Sequence, residues 1–248
     1  MEKRFSLETS TFSLRIMAML FMLCDHLWAT LIEGNEWLTC IGRLAFPIFA
    51  FMIVEGYFHT KNLKKYVLRL LIFALISEIP FNLMTGNSLI YPFHQNVLWS
   101  FLIGIFLIFL NEKAKQKGKL WLRILTAAAT LILGFFLGLF TMVDYYHAGI
   151  FMLLTFYFFR GRKWWCLLGQ ALCMWYINFE ILGGYEYILP LFGKEFHFPQ
   201  QGFALLALIP IWLYKGKHGY HSKPLQYAFY AFYPAHLLIL WMIGTWIK

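Results

Sequence analysis

Residues 14–32 read LRIMAMLFMLCDHLWATLI, apolar throughout except for Arg15, the pair Asp25-His26, and Thr30. A run of this length reads as a membrane-spanning helix. Asp and His inside hydrocarbon are costly. They mostly face a bundle interior or a water-filled cavity, and they mark a functional site by default. This one stretch therefore sets both the fold class and the first place to look for chemistry.

The rest of the chain agrees with a membrane protein. Of 248 residues, 60% are hydrophobic and only 13% are charged, against about 25% charged in a soluble domain. Once spanning helices are subtracted, no segment is long enough for a separate soluble domain. The expected organisation is a single integral-membrane domain over residues 1–248. The net charge of +9 would suggest nucleic acid in a soluble protein. Here it fits the enrichment of Lys and Arg in cytoplasmic loops, so no nucleic-acid partner is expected. Cys24, Cys40, Cys166 and Cys173 show no CxxC and no metal-ligand spacing, so neither a disulfide framework nor a metal is expected. The N-terminal MEKRFSLETS has a loose signal-peptide shape, but the following run holds Asp-His and no clear small-residue cleavage site. It reads as a retained helix.

Hydropathy marks nine spans: about 14–32, 41–58, 65–84, 95–111, 120–141, 143–159, 164–182, 198–214 and 225–246. The eighth is the weakest, and residues 187–201 before it read as a re-entrant or interfacial piece. Nine spans place Lys3, Arg4, Arg15, Lys61, Lys64, Lys65, Arg69, Lys113, Lys115, Lys117, Lys119, Arg123, Arg160, Arg162, Lys163, Lys215, Lys217 and Lys223 at one end. These are 18 of the 21 Lys and Arg residues, leaving Arg43, Lys194 and Lys248 at the other. The expected fold is all-α and polytopic, with about nine transmembrane helices and a cytoplasmic N-terminus.

The polar residues inside the spans form two groups by depth. Asp25, His26, Arg43, Glu78, Asn96, Asp144, His147, Asn178 and Glu180 fall at mid-depth or toward the outer end, and Tyr233 with His236 share one face near the middle of span nine. Glu55, His59, Lys65 and Arg69 fall at the basic end. An anionic cytosolic molecule docking there, with chemistry at mid-depth on an acceptor from outside, accounts for both groups. Several bland readings compete. Arg43 pairs with Asp25 or snorkels outward. Glu55 and Arg69 form a structural ion pair or serve a ligand. Asp144 is an N-cap. Asp25 does not orient His26, because adjacent helix residues face different ways.

The stretches IMAMLFMLCDHLW (Ile16–Trp28), IGRLAFPIFAFMIVEGYFHTKNLKKYVLRLLIFALISEIPFNL (Ile41–Leu83) and QNVLWS (Gln95–Ser100) resemble the TraX family. YPAHLLIL (Tyr233–Leu240) resembles its late helix. That family's namesake is linked to N-terminal acetylation of conjugative pilin, and the family is similar to wider integral-membrane acyltransferases. The resemblance implies a bacterial inner-membrane enzyme. It would move acetyl from cytosolic acetyl-CoA to an amine or hydroxyl acceptor, such as a peptide amine or sugar hydroxyl. His26 inherits the role of general base. Asp25 and Glu78 become orienting groups, and Arg43 or Asn96 the oxyanion donor. Arg69 with Lys65, Glu55, His59, Tyr233 and His236 become cofactor-binding candidates. A proton-coupled carrier built on Asp25, His26 and Glu78 is the competing expectation. A non-catalytic scaffold is the third.

Overall fold

The computed structural model describes residues 9–191, 193–217, 219–220 and 222–247. Lys3, Arg4 and Lys248 of the charge count lie outside them, as do residues 1–8 of the signal-like segment. Ten α-helices follow one another: α1 Thr11–Thr30, α2 Glu36–Gly42, α3 Ala45–His59, α4 Leu63–Gly86, α5 Val97–Gln116, α6 Leu120–Phe140, α7 Tyr146–Phe158, α8 Trp164–Tyr176, α9 Leu208–Leu213 and α10 Lys223–Ile247. A π-turn (Ile177–Leu182) prolongs α8, and a 3-10 segment (Gln200–Ala207) leads into α9. The protein is an all-α polytopic membrane protein. Among the described residues, seven helical units are long and apolar enough to cross a membrane. The expected sixth and eighth spans correspond to two shorter apolar helices, Tyr146–Phe158 and Gln200–Leu213.

Chain direction alternates as the charges require. Thr9 bridges Tyr214, and the Thr11 N–H donates to the Lys217 carbonyl. These contacts hold the start of α1 beside the joint of α9 and α10 at the basic end. At the opposite end Gln95 bridges Val143, joining the α4–α5 and α6–α7 connections. The segment read as re-entrant or interfacial forms an antiparallel hairpin, β1 Glu186–Leu191 with β2 Lys194–Pro199, in which Glu186 faces Pro199. Glycines 183, 184 and 193 break the helical pattern around it, and aromatic residues alternate along β2.

Local sequence explains the two helix features that matter for the site. The α2–α3 unit is broken at Arg43 and Leu44. Pro47 has no N–H to donate to the Arg43 carbonyl, which removes one helical hydrogen bond there, although Arg43 and Leu44 keep right-handed helical backbone angles. Arg43 thus stays over Thr39, one turn back, on the face of α2 that meets α1. Ser10 caps α1 with its hydroxyl on the Ser13 N–H at 3.1 Å, which sets where the first helix begins.

The bundle packs around α7, whose Ile150, Met152, Leu153, Leu154 and Phe156 are fully buried together with Leu14, Ile48 and Leu107. On α6 the buried positions are Thr130, Gly134 and Gly138, one small residue per turn. Small residues let helices approach closely in a membrane, where lipid tails are as apolar as Leu. The other face of α6 is the reverse of a soluble helix: Ile124, Leu125 and Ile132 are exposed, as lipid contact requires.

Candidate active site

His26 and His236 meet at mid-depth, 210 residues apart in sequence. The Nδ1 atom of His26 lies 2.7 Å from Nε2 of His236, and Nδ1 of His236 lies 2.7 Å from the Phe232 carbonyl oxygen. A carbonyl only accepts, so His236 carries its hydrogen on Nδ1. In the neutral ring the other nitrogen is then an acceptor, and the His26 Nδ1–H donates to it. One tautomer of each ring satisfies this chain. His26 is left with the Nε2 lone pair, which makes no hydrogen bond to a described residue. The ring planes lie within 10° with centroids 4.9 Å apart, as in-plane hydrogen bonding across two imidazole edges demands.

Asp25 faces another way, as helix geometry dictates. Its Oδ1 accepts from Arg43 Nη2 at 2.5 Å and from the Thr39 hydroxyl at 2.7 Å. Arg43 Nη2 and Nε also reach the Thr39 hydroxyl oxygen, at 2.6 and 3.2 Å. Of the two readings of Arg43, the structure shows the pair with Asp25, both side chains less than a fifth exposed. Arg43 Nη1 makes no hydrogen bond to a described residue.

Glu78 and Asn96 form a separate knot. Glu78 Oε2 accepts from the Asn96 amide and from Trp99 Nε1, the latter at 2.9 Å. The second Asn96 amide hydrogen goes to the Ala74 carbonyl at 2.9 Å, and its oxygen accepts from the Leu98 N–H at 3.1 Å. With both amide hydrogens engaged, Asn96 has none left for an oxyanion. Glu78 makes no hydrogen bond to His26 or Arg43, so it does not orient either directly. Its Oε1 is buried without a partner among the described residues.

At the outer joint His94 Nε2 lies 3.2 Å from Asp144 Oδ1. Asp144 was expected to cap the sixth span. Instead Tyr145, with φ +60°, precedes α7, and the Asp144 carboxylate accepts from the Tyr145 N–H at 3.1 Å. Its backbone is tied to Gln95 and Ser100. The hydrogen bond to Asp144 holds the His94 imidazole above its ordinary pKa, against the opposing effect of burial. His147 joins none of these groups: it packs on Phe135 and Phe151, and its Nδ1 is buried without a partner among the described residues.

A cavity of about 370 Å³ runs from the basic end toward the histidine pair. Thr11, His59 and Thr60 stand at its mouth, and Met22, Phe232 and Tyr233 line its deep end. Met22 is one helical turn below His26, and Tyr233 packs on His236. Arg15 and Arg69 both enter this cavity. Arg69 Nε is buried without a partner among the described residues. Arg15 lies over the Phe229 ring at 4.8 Å and forms no ion pair with a described residue.

Of the two readings of Glu55 and Arg69, the ion pair is not formed, although both residues line the cavity. Glu55 instead holds Arg160, with Nε–Oε1 at 2.6 Å and Nη2–Oε2 at 3.3 Å, and the Arg160 guanidinium lies over Phe58. Lys65 is exposed and does not line the cavity. Tyr233 and His236, expected at a cofactor, sit beside His26 at the far end. Sequence order places Arg15 only among the charges of the basic end. It lies eleven residues before His26, close to three full helical turns, and so on the same face of α1.

A bundle of apolar helices, a buried histidine pair and a cavity that holds Arg15 and Arg69 and ends one helical turn short of His26 define a polytopic membrane protein with an internal polar site. The chain belongs to the TraX family: the family's sequence model, described as TraX protein, matches residues 10–244. It is 25% identical over 247 residues to the "Probable fimbrial assembly protein FimC, serogroup H1" of Dichelobacter nodosus, covering 95% of this chain and 96% of that one. No solved structure matches.

Proposed function

We propose that this protein transfers an acetyl group from cytosolic acetyl-CoA to an amine or hydroxyl acceptor, with His26 as general base, in the bacterial inner membrane. The observation that carries the proposal is the alignment on one cavity of two carboxylate-free guanidiniums, Arg15 and Arg69, below a histidine whose Nε2 is uncommitted. Guanidinium groups suit phosphate oxygens, which they can bind bidentately. From Arg15 to His26 is about 16 Å along the helix, a span that suits the pantetheine arm. The phosphates would rest on Arg15 and Arg69 and the thioester would arrive beside His26.

The acceptor nitrogen or oxygen attacks the thioester carbonyl carbon while His26 Nε2 takes its proton. The new C–N or C–O bond forms, the C–S bond breaks, and the thiolate leaves with the proton that His26 held. His236 fixes the tautomer that makes Nε2 the base and shares the positive charge of the protonated ring. Arg43, pinned by Asp25 and Thr39 but with Nη1 uncommitted, is the candidate donor to the oxyanion. Such a donor matters most in a site that excludes water. The relative named for fimbrial assembly is consistent with an extracytoplasmic protein acceptor.

The test is thioester consumption by the full chain in nanodiscs, with labelled acetyl-CoA and a panel of amines, alcohols and short peptides. Turnover that disappears in folded His26→Ala supports the proposal. Absence of both acetyl-CoA binding and turnover in the wild type overturns it and favours the carrier.

A further inference from the structure

A second cavity of about 410 Å³ opens at the basic end between α5, α6 and α7, apart from the site above. Its cations are Lys115, Arg123 and Arg160, and its one carboxylate is Glu112. Two of the three cations are already neutralised. Glu112 Oε1 lies 3.2 Å from Lys115 Nζ and also accepts from the Tyr157 hydroxyl at 3.0 Å. Arg160 is held by Glu55. The Arg123 guanidinium makes neither a hydrogen bond nor an ion pair with a described residue. The cavity thus presents a single uncompensated positive charge.

Its apolar wall says what would meet that charge. Leu120 and Ile124 line the cavity and are more than 60% exposed. They continue upward into the exposed apolar face of α6. Trp121 beside them is also mostly exposed, as befits a residue at the membrane–water boundary. A soluble anion would leave that wall unsatisfied. A phospholipid would not: its phosphodiester meets Arg123 and its chains lie along Ile124 and the outer face of α6.

We infer that this cavity is a binding site for one anionic phospholipid of the leaflet at the basic end, held through its phosphodiester by Arg123. Basic pockets between membrane helices on the cytoplasmic side are suited to such headgroups. Lys113 near the end of α5 and Lys117 and Lys119 after it add long-range attraction without choosing a position. The site is independent of acyl transfer, so its failure would leave the proposed reaction untouched.

The experiment is lipid retention by the full chain, purified from mixed micelles of phosphatidylcholine and phosphatidylglycerol and read by native mass spectrometry. Wild type is expected to retain phosphatidylglycerol in preference to phosphatidylcholine. Removing one juxtamembrane cation in Arg123→Gln should cut that preference by about fivefold, while Arg123→Lys keeps most of it. Lys194→Gln, at the opposite end, should change nothing. Excess inorganic phosphate should not displace the retained lipid. Equal retention of the two lipids by wild type, an unchanged preference in Arg123→Gln, or displacement by phosphate alone would each overturn the inference.

Discussion

Gly42 lies against Asp25 so closely that a Cβ on Gly42 would stand 2.4 Å from the Asp25 Cβ. Only a residue without a side chain allows α2 to approach α1 at this level. The approach brings Thr39 and Arg43 onto the Asp25 carboxylate. Gly42→Ala therefore has two effects, overpacking of about 1–3 kcal/mol and displacement of the ion pair. A thermal-unfolding series in detergent should show Gly42→Ala clearly below wild type. An unchanged melting temperature would mean that the two helices are not held at this distance.

The Asp25–Arg43 pair is mostly buried, so removing one partner strands the other. Breaking such a pair typically costs about 3–5 kcal/mol. Asp25→Asn and Arg43→Gln should each destabilise the protein, and the double variant should cost less than the two single losses combined. Strict additivity in that double-mutant cycle would contradict a direct pair. If Arg43 also serves the oxyanion, Arg43→Lys lowers kcat more than it lowers stability.

In the proposed acetyl transfer, His236 acts through His26. His236→Phe fills a similar space but removes the acceptor that holds the His26 hydrogen on Nδ1. The expectation is a fall in kcat toward the ~100–10,000-fold span of general-base catalysis, with KM for acetyl-CoA nearly unchanged. A purely structural role would instead lower the folded fraction and leave the kcat of the folded remainder intact.

Under the same proposal, Arg15→Gln and Arg69→Gln should show the converse pattern, raising KM for acetyl-CoA with a smaller effect on kcat. Lys65→Gln, on an exposed residue outside the cavity, should change neither. Equal effects of all three substitutions would point to a diffuse surface charge in place of a defined cavity site.

The His94–Asp144 contact makes stability depend on pH. The folded imidazole titrates above its unfolded value of about 6.5, because Asp144 accepts its hydrogen bond. Its contribution is fully present below the unfolded value and is lost as pH rises through the folded one. Wild type should therefore lose more stability than His94→Gln as pH is raised from mildly acidic to mildly alkaline. Parallel pH profiles for the two proteins would show that the contact contributes nothing.

Much of the architecture is legible in linear order. Hydropathy and the positions of Lys and Arg mark the helices and their alternation, because the bilayer sorts both by depth whatever the neighbours are. Asp25-His26 stands out for the same reason: charge in an apolar run is costly wherever the helix later packs. Depth along a helix and the charge of each connection were determined by sequence alone, whereas helix ends were not: the run 41–58 takes in parts of both α2 and α3, and the run 198–214 holds a 3-10 segment before α9. Partners were decided only by the tertiary structure. Glu55 sits near Arg69 in sequence yet takes Arg160, 105 residues away, and His26 takes His236 across 210. Asn96 looks like a free donor until both its amide hydrogens are seen to be used. These outcomes depend on which faces of which helices meet. Close packing at small residues such as Gly42 sets that geometry, and an apolar pattern that continues around much of each helix does not encode it.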